Sequence, residues 1–352
     1  MIECVFTVDY EIYGNGRGSL RDLVYEPAER LGAVFRKWDV PLVVFVEAAE
    51  MEIIGSRGAD PAIGLVERQI LEFHAAGSEI GLHLHSQWYN ARYENARWQL
   101  DPEEYNLCLL PSDRIDRIVE QAIAYLRRVL AESDFTPSSF RAGNWLLQPT
   151  GAVSRSLAAH GLKIDSSVFK GGRQHRHRLD YRRSRRNGYH WTFSQDVNIP
   201  DSRGVLLEIP TFSRMVPIWR MFTSKRIGLQ KKAPADPART EGGISRLRDY
   251  ARLSYPMKLD FCRLSATEMT GMLERERRLD RDDPGVYRPI VAIGHTKDLL
   301  DVETVDAFLS YLQRNSIPVT TLRKSWEKIM GPLGRSGGPS LPARPGMPSR
   351  PE

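Results

Sequence analysis

The chain has 352 residues, of which 41% are apolar and 9% aromatic. This is enough to bury the core of one large α/β domain or of two ordinary ones. The formal net charge is +6. An excess of positive charge favours anionic partners such as phosphosugars, acidic glycans, nucleic acid or an anionic membrane face, although most basic proteins of this size are simply soluble.

Cysteine usage and the apolar pattern predict a cytoplasmic protein. The three cysteines, Cys4, Cys108 and Cys262, are widely spaced and odd in number, which excludes a disulfide framework and a Cys-x-x-Cys metal site. The first residues enter an apolar run at once, without the basic and apolar regions of a secretory signal. The longest apolar run, at 40–49, is interrupted by Pro41 and Glu47. It is far shorter than the roughly 20 residues that span a bilayer.

Short β-type runs alternate with longer helical patterns along most of the chain. In chain order we predict a strand at 2–8, a helix at 27–37, a strand at 41–46, a helix at 61–76, a strand at 79–85, a helix at 114–132, a strand at 139–142, a helix at 151–160, a short strand at 162–165, a strand at 205–210, a helix at 266–279, a strand at 289–293, a helix at 302–315 and a last strand at 318–321. This alternation indicates parallel strands with helical crossovers. No Gly-x-Gly-x-x-Gly follows the first strand, which argues against an open nucleotide-binding sheet. The predicted fold is an α/β fold, a closed or partly closed (β/α) barrel of about seven strands over residues 1–330.

Two regions and the C-terminus depart from this rhythm. Residues 171–204 are rich in Arg, His and aromatic residues, and residues 213–257 contain the apolar run Met215–Phe222 followed by lysines and an arginine. Both are predicted to be long insertions over one face of the barrel. Residues 331–352 hold Pro, Gly, Ser and Arg with almost nothing to bury, and are predicted to be a disordered tail.

The insertions suggest partners for the protein. The cations and aromatic residues of 173–191 fit a lid over an acidic or phosphate-bearing sugar, or else a solvated loop; nucleic acid is not expected. The segment Met215–Phe222 fits either peripheral contact with a membrane, which would suit a lipid-linked sugar, or packing on the barrel rim.

In a (β/α) barrel the catalytic groups lie at the C-terminal ends of the strands. Side chains suited to catalysis follow several predicted strands here, in the order Asp9 and Glu11, His83 and His85, Arg141 with Asn144 and Trp145, Asp165, and His295. Two imidazoles and one carboxylate with an open fourth position form a usual catalytic zinc environment. Taken alone, Arg141 or Asp165 is as consistent with a structural ion pair as with a role in the site.

These residues together resemble the motifs of the polysaccharide deacetylase family, carbohydrate esterase family four, whose shared region is the NodB-homology domain. The resemblance covers most of residues 1–325 in motif order and implies a distorted (β/α) barrel. Thr7-Val-Asp9-Tyr-Glu11 resembles the variant first motif, which implies that Asp9 is the catalytic base and Glu11 a metal ligand.

The second motif departs from the family pattern. His83 is similar to the first metal histidine, but the position four residues later is Gln87, a poor zinc ligand. We therefore expect His85 to complete the ligand set with Glu11 and His83.

The later motifs imply the remaining roles. Arg141 resembles the arginine that orients the base. His295 resembles the last-motif histidine, which acts as general acid, and Asp165 resembles the aspartate that tunes this histidine. Asn144 and Trp145 stand where the family has a proline and an aromatic residue. We assign them to the substrate groove together with Trp88.

The resemblance implies a hydrolase that removes an N-acetyl group from a carbohydrate and uses a divalent metal, with Zn²⁺ the favoured ion. The carbohydrate would be a glycan, a lipid-linked sugar or an amino-sugar intermediate. Two alternatives stay open at this point: a metal-independent hydrolase of amide C–N bonds on the same fold, and a glycan-binding protein without activity.

Overall fold

The computed structural model describes residues 1–184, 188–221, 225 and 253–331. The predicted tail lies outside these residues apart from Gly331, as does most of the segment between Phe222 and Arg252. No helix within the described ranges is both long and apolar enough to cross a membrane.

A nine-stranded sheet forms the centre of the fold. Its strands in chain order are β1 (Ile2–Tyr10), β2 (Val43–Glu47), β3 (Glu79–Leu84), β4 (Ser139–Ala142), β5 (Ile164–Asp165), β6 (Trp191–Phe193), β7 (Leu206–Glu208), and, after an outlying hairpin, β10 (Arg288–His295) and β11 (Val319–Thr320). The hairpin consists of β8 (Ser213–Pro217) and β9 (Ser254–Lys258), which pair antiparallel. Every pairing in the main sheet is parallel except that of β6 with β7.

Helices cover the outer face of this sheet. They are α1 (Glu26–Lys37), α2 (Ala48–Ser56), α3 (Ile63–Ala75), α4 (Ser112–Leu130), α5 (Gly151–Ala159), α6 (Ala266–Asp282), α7 (Glu303–Arg314) and α8 (Leu322–Met330). The longest, α4, buries one stripe of apolar residues and leaves its charged residues at the surface. A sheet covered by helices is buried on both faces, and all nine residues of β1 are accordingly buried.

The sheet curls until its two ends meet through an irregular segment. The chain beyond β7 forms isolated parallel bridges at Thr211 to Phe169 and to Val291 of β10, and Phe212 N–H donates to the Val291 carbonyl at 2.9 Å. The chain beyond β9 does the same where Asp260 bridges to Ile293. This closure confirms the predicted distorted (β/α) barrel.

Most predicted elements agree with the structure to within a few residues, but several observed elements were not predicted: α2, α8, the strand β6 inside the predicted insertion at 171–204, and the β8–β9 hairpin. Helix α2 was not predicted, because the apolar run of β2 continues into it with no glycine or proline between them; the Glu47 side chain accepts the Glu50 N–H and begins the helix. The region predicted as a loop insertion at 213–257 contains the β8–β9 hairpin, whose middle residues lie outside the described ranges.

Candidate active site

The predicted site residues lie at one level of the barrel because the strand register places them there. Asp9 on β1 is paired with His295 on β10, and His83 on β3 is paired with Arg141 on β4. Glu11 follows β1 by one residue. All but His295 in this set are almost completely buried, and the His295 side chain is 12% exposed.

We call Asp9, Arg141 and His295 the proton half of the site. Arg141 Nη1 donates to Asp9 Oδ1 at 2.6 Å, and His295 Nε2 lies 3.4 Å from Asp9 Oδ2. Burial alone would raise the pKa of Asp9, but the charges of Arg141, His83 and His295 outweigh it and hold that pKa below its usual value. Asp9 is therefore ionised at neutral pH.

The surroundings of Arg141 fix its guanidinium. Its Nη2 donates to Thr7 Oγ1 at 2.9 Å, its Nε donates to the Ser166 carbonyl at 3.1 Å, and it lies 4.2 Å above the Phe45 ring. A guanidinium that donates to several fixed acceptors at once presents its remaining N–H to the carboxylate in one orientation.

The acidic residue beside His295 is Asp298, whose Oδ2 lies 3.9 Å from His295 Nδ1. Arg263 Nε donates to the same Asp298 oxygen at 3.0 Å. Burial lowers the pKa of His295, against the opposing charges of Asp9 and Asp298. The imidazole is therefore neutral in the resting site.

Asp165, predicted to tune His295, has other partners. Its carboxylate accepts the Ser167 N–H at 3.0 Å and the Ser167 hydroxyl at 2.7 Å, and burial raises its pKa. The structure places Asp298, and not Asp165, next to His295.

We call Glu11, His83 and His85 the metal half of the site. Glu11 Oε2 lies 3.5 Å from His83 Nε2 and 3.0 Å from His85 Nε2. Ligands at about 2.0–2.2 Å from a tetrahedral zinc ion are about 3.3–3.6 Å from one another. The distance from Glu11 to His83 lies in that range, and the distance from Glu11 to His85 is slightly shorter. A second group that includes Glu11, formed with Asp9 and His295, lies close enough to share such an ion.

The hydrogen bonds of His83 provide a test of that fit. Its Nδ1 lies 2.8 Å from the Arg141 carbonyl, which can only accept, so Nδ1 carries the proton. In the neutral ring Nε2 is then a bare acceptor that faces Glu11 Oε2, a second acceptor. Two buried acceptors in this arrangement need a cation between them, either a metal ion or a proton. The raised pKa of His83, which Asp9 and Glu11 produce against the effect of burial, reflects this need.

His85 depends on Asn144 for its tautomer. The Asn144 side-chain nitrogen lies 3.2 Å from His85 Nδ1, so Nε2 carries the proton and donates to Glu11 in this arrangement. With the amide turned to present its oxygen, Nδ1 would keep the proton and Nε2 would be free to bind a metal. The backbone N–H of His85 donates to Glu47 Oε1 at 2.6 Å, which fixes the residue at the end of β3.

Lys297 supplies the positive charge nearest to Glu11. Its Nζ donates to Glu11 Oε1 at 2.7 Å and to the Ile12 carbonyl at 3.0 Å. Burial would raise the pKa of Glu11, but Lys297 and then His85 lower it well below its usual value. Glu11 therefore carries a negative charge, with Oε1 neutralised by Lys297 and Oε2 directed at the two imidazoles.

The predicted groove residues divide into two groups. Trp145 is partly exposed beside Arg141 and is available to a substrate, as is Asn144. The assignment of Trp88 to the groove is wrong, because its indole has no exposed surface and packs in the core against Trp98 at 5.0 Å. Gln87 is also buried, and its amide donates to the Gly14 carbonyl at 3.5 Å, away from the metal half.

Sequence reasoning missed three polar residues of the site: Lys297, Asp298 and Lys258. The first two follow His295 by two and three residues on the same loop, so their proximity was a signal that could have been used. Lys258 gave no such signal, because it follows the predicted insertion at 213–257 and reaches the site only through the fold of the β8–β9 hairpin.

No protein-family model matches this sequence, and no curated protein matches it. Solved structures do. A protein assigned as a polysaccharide deacetylase from Mycobacterium smegmatis superposes with a TM-score of 0.54 at 15% identity, over 98% of this chain and 95% of that chain. The Puue allantoinase superposes with a TM-score of 0.49 at 12% identity, over 94% of this chain and 91% of that chain. A protein assigned as a polysaccharide deacetylase from Pseudomonas aeruginosa PAO1 superposes with a TM-score of 0.48 at 13% identity, over 94% of this chain and 92% of that chain.

Likenesses at such low identity establish the fold and not the reaction, and only the first of these superpositions is close enough to carry an argument. It agrees with the resemblance that the strand-end motifs carry. The chain has the fold of the polysaccharide deacetylases.

Proposed function

We propose that this protein is a metal-dependent hydrolase that removes an N-acetyl group from a carbohydrate and releases acetate and the free amine. One observation carries the proposal. Three metal-ligand atoms, on Glu11, His83 and His85, converge beside an ionised carboxylate, Asp9, that can act as a base. Neither half alone would suffice for amide hydrolysis.

The metal half would hold the ion through one carboxylate oxygen and two imidazole nitrogens, a donor set that suits Zn²⁺. A divalent ion bound there supplies two things: it polarises the acyl C=O bond and lowers the pKa of water. Lys297 keeps Glu11 ionised and oriented from its other oxygen.

The proton half moves one proton through the cycle. Asp9, kept ionised by Arg141, removes a proton from the attacking water. His295 Nε2, 3.4 Å from Asp9 Oδ2, is placed to pass that proton to the leaving nitrogen. Asp298, on the other side of the ring, stabilises the imidazolium that forms in between. This step is essential because an unprotonated amine anion is too basic to leave.

A second candidate function is metal-independent hydrolysis of an amide. The observation in its favour is that Lys297 already neutralises Glu11 and that His85, in the tautomer set by Asn144, already donates to it. In this alternative the Lys297 ammonium provides the positive charge that a metal would otherwise provide.

Acetate release from N-acetylglucosamine, its oligomers and its acidic derivatives, measured before and after chelation, distinguishes the two functions. The proposal predicts that a chelator abolishes release and that Zn²⁺ or Co²⁺ restores it. Release that the chelator leaves unchanged would support the second candidate. No release from any of these compounds by the metal-loaded protein would contradict the proposed function.

Lys297→Met provides an independent arm of the same experiment. If Lys297 only orients a metal ligand, the variant should bind metal about 10–100-fold more weakly and regain activity in excess zinc. If Lys297 replaces the metal, the variant should be inactive at every zinc concentration.

A further inference from the structure

Lys258 extends over the rim of the candidate active site. It ends β9, where it pairs with Ser213 on β8, and two residues later Asp260 bridges to Ile293 on the strand that carries His295. Its Nζ lies 3.8 Å from the centroid of the Trp145 ring and 4.8 Å from that of Phe169. Lys258 is partly exposed as a residue, and its ammonium is largely surrounded by protein.

The ring beneath Lys258 is held in place by several contacts. Asn144 and Trp145 have φ values of 54° and 67°, in the left-handed region that side chains other than glycine rarely adopt. The Tyr181 hydroxyl donates to the Trp145 carbonyl at 2.6 Å, and the Gln174 amide donates to that of Asn144 at 3.1 Å. Arg141 also contacts the Trp145 ring, at 5.6 Å. The Trp145 ring is thus fixed next to two cations.

The carboxylates near Lys258 are already paired with other cations. Asp9 is paired with Arg141, and Asp260 and Asp298 are both paired with Arg263. Within the described ranges no carboxylate lies within ion-pair distance of the Lys258 ammonium.

The pKa of Lys258 reflects these surroundings. Burial and then the charge of Arg263 lower its pKa to about 7, Arg141 acts in the same direction, and Asp260 and Asp9 only partly oppose them. The two rings offer the cation a weaker interaction than a carboxylate would. A partly desolvated cation of this kind is stabilised when an anion binds to it.

We propose that Lys258 binds an anionic oxygen group of the substrate, a carboxylate or a phosphate, so that the substrate is an acidic N-acetylated sugar. This inference rests on the proposed function, since it names the class of substrate for the same site. It accounts for the placement of a cation over Trp145, at the rim next to the base.

Equilibrium binding tests the proposal without requiring turnover. The wild-type protein would be titrated with N-acetylglucosamine, N-acetylglucosamine 6-phosphate, N-acetylmuramic acid and inorganic phosphate in a calorimeter. We expect at least one acidic sugar to bind about tenfold or more tightly than the neutral one, as for a hydrogen bond to a charged group. The two acidic sugars distinguish phosphate from carboxylate.

Variants at Lys258 assign the preference to this residue. Lys258→Met and Lys258→Gln should reduce the preference for the acidic sugar to near unity, and Lys258→Arg should retain most of it. Lys163→Met is the matched control, because Lys163 also lies over a tryptophan ring, that of Trp326, at 4.5 Å. Near-ultraviolet circular dichroism would verify that each variant is folded.

The proposal would be overturned if both Lys258→Met and Lys258→Gln kept the preference for the acidic sugar. It would also be overturned if the wild type bound acidic and neutral sugars equally, or bound none of the probes. A failure of the proposed function looks different. In that case Lys258-dependent binding of an acidic sugar would persist while acetate release was absent.

Discussion

The two halves of the candidate site use buried charge in different ways. In the proton half, the Asp9 carboxylate has its countercharge in Arg141, whose guanidinium is held by Thr7, Ser166 and Phe45. In the metal half, Glu11 Oε2 faces two imidazole nitrogens, and the positive charge of Lys297 lies on the other oxygen.

This difference indicates which part of the site is complete within the protein. The proton half has an ion pair with short, satisfied hydrogen bonds and should be rigid without a ligand. In the metal half, Glu11 Oε2 and His83 Nε2 face each other as acceptors, and a metal ion would complete that arrangement. Changes in the proton half should therefore affect turnover and stability, whereas changes in the metal half should affect metal content first.

Asp9→Asn gives the largest expected effect, a fall in kcat by about two to four orders of magnitude, because the base is lost. The asparagine oxygen can still accept from Arg141, but the guanidinium loses its countercharge, so the variant should be less stable while it keeps the metal ligands Glu11, His83 and His85. Steady-state kinetics with metal analysis of the same sample makes the measurement, and Asp306→Asn at the surface is the control. Near-normal turnover would remove Asp9 from the mechanism.

Arg141→Met should lower the free energy of unfolding by about 3–5 kcal/mol at pH 7, because it leaves Asp9 as a buried carboxylate without a countercharge. The sign of the pH dependence follows from the lowered pKa of Asp9. The stability that Asp9 contributes in the wild type is present above its unfolded pKa of about 3.9 and is lost as the pH falls through the folded value. The difference between wild type and variant should therefore shrink below about pH 4. Urea unfolding at several pH values measures it, and a gap that widens in acid would contradict the assignment.

Asn144→Asp should raise the affinity for zinc, a smaller effect than the two losses described above. A carboxylate accepts from His85 Nδ1, so the proton leaves Nε2 and this nitrogen becomes a better ligand. We expect zinc affinity to rise about tenfold by competition with a chelating dye. Aspartate also tolerates the left-handed backbone of this position. Asn106→Asp adds the same charge at another asparagine, and an equal gain there would mean that net charge, and not the tautomer, is responsible.

Most of the barrel could be predicted from the sequence because its strands are short, apolar and separated by amphipathic helices. The strand at 79–85 and the helix at 302–315, for example, match the structure to within a residue at each end. Strand ends also located Asp9, Glu11, His83, Arg141 and His295 at one edge of the sheet, since parallel strands share that edge.

The features that could not be predicted depend on contacts that no periodic pattern in the sequence encodes. Trp88 lies close to the site residues in sequence, yet a short 3₁₀ turn after β3 directs its indole into the core. Asp298 is adjacent to His295 because the chain turns immediately after β10. Lys258 follows the predicted insertion and reaches the site through a hairpin whose two strands lie far apart in the sequence.

Metal content after reconstitution tests the central claim most directly. Wild type, His83→Ala and His160→Ala would be stripped with a chelator, exposed to Zn²⁺, desalted and measured by plasma mass spectrometry. His160 is the matched control, because its Nδ1 also donates to a backbone carbonyl, that of Ser156, at 2.9 Å. We predict about one zinc per chain in the wild type and in His160→Ala, and almost none in His83→Ala. A wild-type protein that binds no zinc, or a His83→Ala variant that binds as much, would contradict the account.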